Sequence, residues 1–206
     1  MSDTLLSVPQ ARIIGAMIEK QLTTPLNYPM TPNAVRVACN QKNNRDPVVE
    51  FDDDIVFDTL KSLERLGYIE SGLFDNSQTI RYKQKLKAKH ELERGEEVIL
   101  CELFNRGSQT PGELRSRCDR MHKFPDLADV ERCLQKLASR RFVVMLERQP
   151  GTKEPRWGHL FSGQPSQPTA SAQRSPAPGN PALEERVAQL EELVAKLERR
   201  VEALEG

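Results

Sequence analysis

An excess of either charge is missing from this sequence. The 206 residues carry 30 Lys and Arg against 30 Asp and Glu, so the formal net charge is zero. A nucleic-acid-binding domain usually carries a basic excess. Any polyanion-binding surface here must therefore be a local patch, balanced by acid elsewhere. Long apolar runs are also missing. A typical run is residues 142–146, far short of the ~20 residues that span a bilayer. The opening MSDTLLSVPQ has neither a basic start nor a long apolar stretch. No secretory signal is expected, and the expected location is the cytoplasm.

Reactive chemistry is equally scarce. The four cysteines, Cys39, Cys101, Cys118 and Cys133, include no CxxC pair. The spacing supports neither a zinc site nor a disulfide scaffold, so buried reduced thiols are expected. His90, His122 and His159 lie far apart, and no GxxxxGK[ST] or GxGxxG run cradles phosphate. No Ser or Cys stands in a nucleophile motif. The trio Asp52-Asp53-Asp54 would point about 100° apart on a helix, which suits a helix start better than a metal. No enzyme, cofactor, metal or small-molecule substrate is expected.

What is present is organisation. Residues 162–182 hold prolines 165, 168, 176, 178 and 181 among Ser, Gln, Ala and Gly. That composition predicts a disordered linker. Residues 183–206 then show a heptad pattern. Val187, Val194 and Val201 fill the a positions, and Leu183, Leu190, Leu197 and Leu204 the d positions. Val at a with Leu at d favours a parallel two-stranded coiled coil. A parallel pairing also sets Arg186 against Glu191 and Arg200 against Glu205. The homodimer seam is thus Val187, Leu190, Val194, Leu197, Val201 and Leu204. A single amphipathic helix docking on its own chain is the competing reading.

Residues 1–161 contain a diverged repeat. The run at Thr31-Pro32, with Val35, Arg36 and Cys39, matches Thr110-Pro111 with Leu114, Arg115 and Cys118. Val56, Leu60, Leu63 and Ile69 match Val130, Leu134, Leu137 and Val143. Each copy reads as three helices and a hairpin. In the first, helices are expected over 9–21, from Thr31 to about Asn40, and from Asp52 to Gly67. Strands are expected over 68–73 and 79–86, turning at Asp75-Asn76. In the second, helices near 94–105, 111–120 and 126–139 precede strands near 141–147 and 156–161. Thr31 before Pro32, and Asp52 with its acidic neighbours, are helix starts. Gly67 is a stop. Three helices and a hairpin in about 75 residues is the winged helix-turn-helix plan. The expected fold class is mainly α with small β-hairpins (α+β): a winged-helix domain over 1–90, another over 91–161, the linker, and the coiled coil.

The runs EKQLTTPLNYPMTPNAVRVACNQKNNRDPVVEF (19–51) and RGSQTPGELRSRCDRMHKFPDLADVERCLQKLA (106–138) resemble the YceH family of uncharacterised bacterial proteins. HLFSG at 159–163 and the terminal heptads agree. The resemblance covers nearly the whole chain. It implies a cytoplasmic protein with a tandem winged-helix fold, and it implies no activity, ligand or catalytic residue.

Three elements are candidates for nucleic-acid contact. The polar loop from Asn40 through Lys42 and Asn44 to Arg45 offers amides and cations for phosphates and base edges. It lies in a five-residue excess of the first copy that the second copy lacks, so packing alone does not demand it. A tolerated loop or a helix-capping loop would look the same. The strand after Ile80 places Arg81, Lys83, Lys85 and Lys87 on one face, opposite Tyr82 and Leu86. Such a face suits a phosphate backbone or guards an edge strand. Arg115, Arg117, Arg120 and Lys123 form a looser patch. Against ordinary DNA readout stands the first copy's third helix. It carries Asp52, Asp53, Asp54, Asp58 and Glu64 against Lys61 and Arg65, which opposes phosphate. Two functions therefore remain: DNA binding, as a regulator or chromosome-associated protein, or protein–protein adaptation.

Overall fold

A computed structural model describes residues 5–74, 78–148 and 154–165. The chain divides into units 1–166 and 167–206, and the second lies outside the described residues. So do the heptads, nearly all of the linker, and the turn at Asp75-Asn76. The described fold is mostly helical, with two small antiparallel hairpins.

The element order repeats. Helices α1 (Val8–Thr23), α2 (Pro32–Cys39) and α3 (Asp53–Arg65) precede strands β1 (Ile69–Gly72) and β2 (Arg81–Gln84). A short helix, α4 (Leu86–Lys89), leads to α5 (Arg94–Arg106), α6 (Pro111–Cys118) and α7 (Leu127–Ser139). Strands β3 (Val143–Met145) and β4 (Trp157–His159) close the second set. In the first hairpin Ile69 faces Gln84, and in the second Val143 faces His159. Each hairpin also gains a neighbour. Met30 and Tyr82 exchange backbone bonds of 3.0 and 2.8 Å, and Gln109 and Trp157 do the same at 3.0 and 2.8 Å.

Local chemistry sets the ends. The Thr31 and Thr110 side chains accept from the amides of Ala34 and Glu113, and the Asp52 and Asp126 carboxylates from Ile55 and Asp129. Each such cap contributes about 1 kcal/mol. Pro32 and Pro111 stand at the first helical position, where the missing N–H costs nothing. Gly67 follows α3 at φ 72°, in the region glycine enters without a Cβ penalty.

Helices α1 and α5 form the centre. Every residue from Gln10 to Glu19 is buried, and so is every residue from Gly95 to Asn105. The sequence suggests that Ile14 and Ile18 bury one face of α1. The structure buries α1 all round, because α5 covers the face its own copy leaves open. The approach is close. A Cβ on Gly15 would lie 2.9 Å from both Phe104 Cβ and Asn105 Oδ1. The outer helices α3 and α7 instead bury only Val56, Leu60, Leu63 and their counterparts Val130, Leu134, Leu137.

Candidate nucleic-acid interface

The 40–45 loop exposes Lys42 and Asn43 but turns most of its other polar groups inward. Its cation Arg45 has a fully buried side chain, paired to Glu19 at 2.6 Å. The same guanidinium donates to Ala38 O at 2.8 and 3.2 Å and to Asn44 O at 2.9 Å. Asn40 closes the neck of the loop, donating to Phe51 O at 2.8 Å and accepting from Phe51 N at 2.9 Å. Asn44, at φ 59°, donates weakly to Glu19 and Glu102 and accepts from Arg106 at 3.2 Å. Beyond it, Asp46 N donates to Asn105 O at 2.9 Å, and Arg12 Nη2 to Pro47 O at 2.8 Å. This corrects the reading of Asn40, Asn44 and Arg45 as phosphate or base contacts. Arg45 and Asn44 turn to the seam between α1, α5 and the loop, and Asn40 to the Phe51 backbone. Lys42 alone among the four candidates is exposed.

The seam is electrostatically tight. Burial works against ionisation of Glu19, yet Arg45 and Lys20 hold its pKa below the ordinary value. Glu102 is fully buried, and its Oε2 has no hydrogen-bond partner among the described residues. Burial raises its pKa, Asn44 opposes that through its hydrogen bond, and the nearby Glu19 charge adds to the rise. A buried carboxyl without a full cation partner favours its neutral form.

The basic strand is shorter than expected. It ends at Gln84, and Lys87 lies in α4 rather than on the strand. The cause is Leu86, buried completely, whose amide donates to the Gln84 side chain at 2.8 Å and turns the chain. Arg81 is half-buried and donates to Pro29 O at 2.9 Å. Lys83, Lys85, Lys87 and Lys89 are all exposed. Lys85 pairs with Glu70 at 3.4 Å, and Lys89 lies over the Tyr68 ring. Lys83 and Lys87 have no ion-pair partner among the described residues. Residues 78–90 contain five cations and no acid.

The third patch is divided. Arg117 donates to Gln109 Oε1 at 2.6 Å and pairs with Glu113, which also holds Arg156 at 2.7 Å. Arg115 donates to Pro125 O, while Arg120 is exposed. On α3, three of the five acids have internal work. Asp52 caps the helix, Asp53 pairs with Arg36 at 2.8 Å, and Glu64 accepts from Ser71 N and Oγ. Asp54 and Asp58 remain exposed, beside the partly exposed Ile55 and Phe57.

All four cysteines are free, three of them buried. Burial pushes the Cys39 thiol up to about 12, so it holds its proton. The His159 ring packs on Phe104, and burial brings its pKa down to about 4. Among the described residues, no three His, Cys, Asp or Glu side chains cluster as metal ligands, and no helix is long and apolar enough to cross a membrane.

The fold is thus a twofold repeat of three helices and a hairpin on a shared α1–α5 core. The chain belongs to the family described as "Protein of unknown function, DUF480", whose pattern matches residues 6–152. It is similar to UPF0502 proteins of several bacteria. That of Citrifermentans bemidjiense is 44% identical over 186 residues, covering 88% of this chain and 85% of the relative. Those of Erwinia tasmaniensis and Aliivibrio fischeri are 39% and 40% identical, covering 93% and 97% of this chain and 91% and 94% of the relatives.

Proposed function

We propose that this protein binds nucleic acid through phosphate contacts, as a tandem winged-helix protein of the YceH type. The observation that carries the reading is the strip Lys83, Lys85, Lys87 and Lys89. It is exposed, runs from the second strand of the first hairpin into α4, and has no acid within residues 78–90. In the winged-helix plan this hairpin is the wing, and a cationic wing follows a phosphate backbone without reading bases. Lys42 and Arg120 add exposed cations elsewhere. The heptads over 183–206 would pair two chains and double the contact surface. Four free thiols suit a reducing compartment, the cytoplasm.

The test is fluorescence anisotropy of the full chain against random duplex DNA across a salt series. Micromolar affinity that falls steeply with salt is expected. Lys83→Ala with Lys87→Ala should reduce the salt slope by about 2, close to 0.9 per lost contact. An unchanged slope would remove the strip from the interface.

A second reading has its own support. The α3 surface sets Asp54 and Asp58 beside the exposed Ile55 and Phe57, a mixed face better suited to a basic, partly apolar protein surface than to phosphate. Asp54→Lys with Asp58→Lys would abolish capture of such a partner and leave DNA affinity equal or higher. Retained capture counts against the adaptor.

A further inference from the structure

A groove of about 540 Å³ opens between β2, α4 and the start of α5. Its volume lies within the roughly 300–1,000 Å³ of small-ligand sites. The rim carries Lys83, Lys85, Lys87 and Arg94, and Glu70, Glu91 and Glu97 also line it. Two of these acids are already paired: Glu70 with Lys85 and Glu97 with Arg94, both at 3.4 Å. Lys83 and Lys87 then face only Glu91, so the rim keeps a positive balance.

The floor is built differently. Gln84 and Glu97 are 5% and 2% exposed, yet both line the groove. Gln84 Nε2 bridges Gln21 Oε1 at 2.6 Å and Glu97 Oε1 at 3.0 Å. Its own oxygen is held by Leu86 N. The network fixes the Glu97 carboxylate in place. A carboxylate accepts about four hydrogen bonds; Glu97 accepts two from protein, the second of them the long contact from Arg94. The Gln21 amide nitrogen has no partner among the described residues. Cations at the rim, with a carboxylate acceptor and an amide donor at the floor, complement a molecule with an anion at one end and hydroxyls, which both donate and accept, at the other. A duplex is convex and reaches only the rim, so the floor has no role in the DNA contact proposed above.

We infer that this groove binds a small sugar phosphate, free or as part of a nucleotide, with its phosphate on Lys83 and Lys87 and its hydroxyls on Glu97 and Gln21. The phosphate end uses lysines as point charges. The hydroxyl end distinguishes the ligand from inorganic phosphate.

Isothermal titration of the full chain, without nucleic acid, tests this. The probes are ribose 5-phosphate, ADP and inorganic phosphate. One saturable site per chain is expected, at least about tenfold tighter for ribose 5-phosphate than for phosphate, since hydrogen bonds to a charged group are at stake. Lys83→Ala with Lys87→Ala should weaken all three probes. Glu97→Gln should weaken the sugar phosphates and leave inorganic phosphate unchanged. Gln21→Ala, on a half-buried side chain, gives the same readout if the Glu97 variant does not fold. ADP binding no tighter than ribose 5-phosphate identifies the free sugar phosphate as sufficient; tighter ADP binding identifies the nucleotide. Either supports the site. No saturation by about 10 mM of either ligand, or equal affinity for ribose 5-phosphate and phosphate, overturns it. DNA binding measured separately keeps the two readings apart, because its salt slope does not depend on Glu97 or Gln21.

Discussion

Replacing Arg45 by Ala should be among the most damaging single changes in the chain. The side chain is fully buried and paired to a carboxylate that is itself 6% exposed. It also donates to the Ala38 carbonyl near the end of α2, and to Asn44 O in its own loop. Truncation leaves Glu19 with Lys20 at 3.1 Å and a marginal contact from Asn44 at 3.5 Å. Removing one member of a buried ion pair costs about 3–5 kcal/mol, because the other charge stays buried. For a body of this size each kcal/mol shifts Tm by about 2–4 °C, so a fall of about 6–20 °C is expected. Circular dichroism melting of the full chain measures it.

The pH dependence gives a second check. Burial opposes ionisation of Glu19, but Arg45 and Lys20 hold its folded pKa below the ordinary 4.5. A depressed carboxylate contributes stability that is present above its unfolded pKa and lost as pH falls through its folded pKa. The gap between wild type and Arg45→Ala should therefore be widest near neutral pH and narrow in acid below 4.5. Adding Glu19→Gln to an Arg45→Met background should recover part of the loss. A Tm change under about 2 °C, the scale of an exposed residue, would refute the reasoning. It would mean that Arg45 spends its time in solvent, where it could meet phosphate after all.

Other consequences are simpler. Glu102 is buried with a pKa raised by burial, against its Asn44 hydrogen bond and with the Glu19 charge. Its stabilising contribution is complete below the unfolded value of 4.5 and is lost as pH rises through the folded pKa. Glu102→Gln should therefore gain Tm relative to wild type as pH rises above 4.5; a parallel pair of pH curves would contradict this. Gly15→Ala adds a Cβ 2.9 Å from Phe104 Cβ and Asn105 Oδ1, so chemical denaturation should show a loss of about 1–3 kcal/mol. A gain, as expected for Gly→Ala in an open helix, would place α1 and α5 further apart. Deleting residues 183–206 should leave a folded monomer by sedimentation equilibrium. A truncated chain still dimeric at micromolar concentration would move the interface elsewhere.

The element order was legible because each signal was local. Thr-Pro caps, the Asp52 cluster, Gly67 and the apolar periodicity of Val56, Leu60 and Leu63 depend on neighbours within a turn or two. The repeat then transferred the pattern to the second copy, where signals such as Asp126 alone were weaker. What escaped were long-range effects. The strand ends at Gln84 rather than near Leu86 because Leu86 plunges into the core. Met30 and Gln109 each add a bridge to a hairpin strand about 50 residues away. Neither has a strand-like neighbourhood, so no periodicity marks them.

The 40–45 loop shows what composition leaves open, and its contacts favour the capping alternative. Asn, Lys and Arg in an insertion look alike whether they face a phosphate or a buried carboxylate. The discriminating signal lay elsewhere in the chain. Glu102 interrupts VILCELF, and Glu19 follows GAMI at the end of another apolar run. An acid inside a helix buried on all sides must be neutral or find a cation. The second helix set carries no insertion that could supply one. The first does, and its arginine goes to Glu19. Glu102 receives only an amide, and it is the one with the raised pKa. The insertion is therefore accounted for by the close α1–α5 contact. Once it is assigned there, the exposed lysines from β2 through α4 become the main cationic surface left to explain.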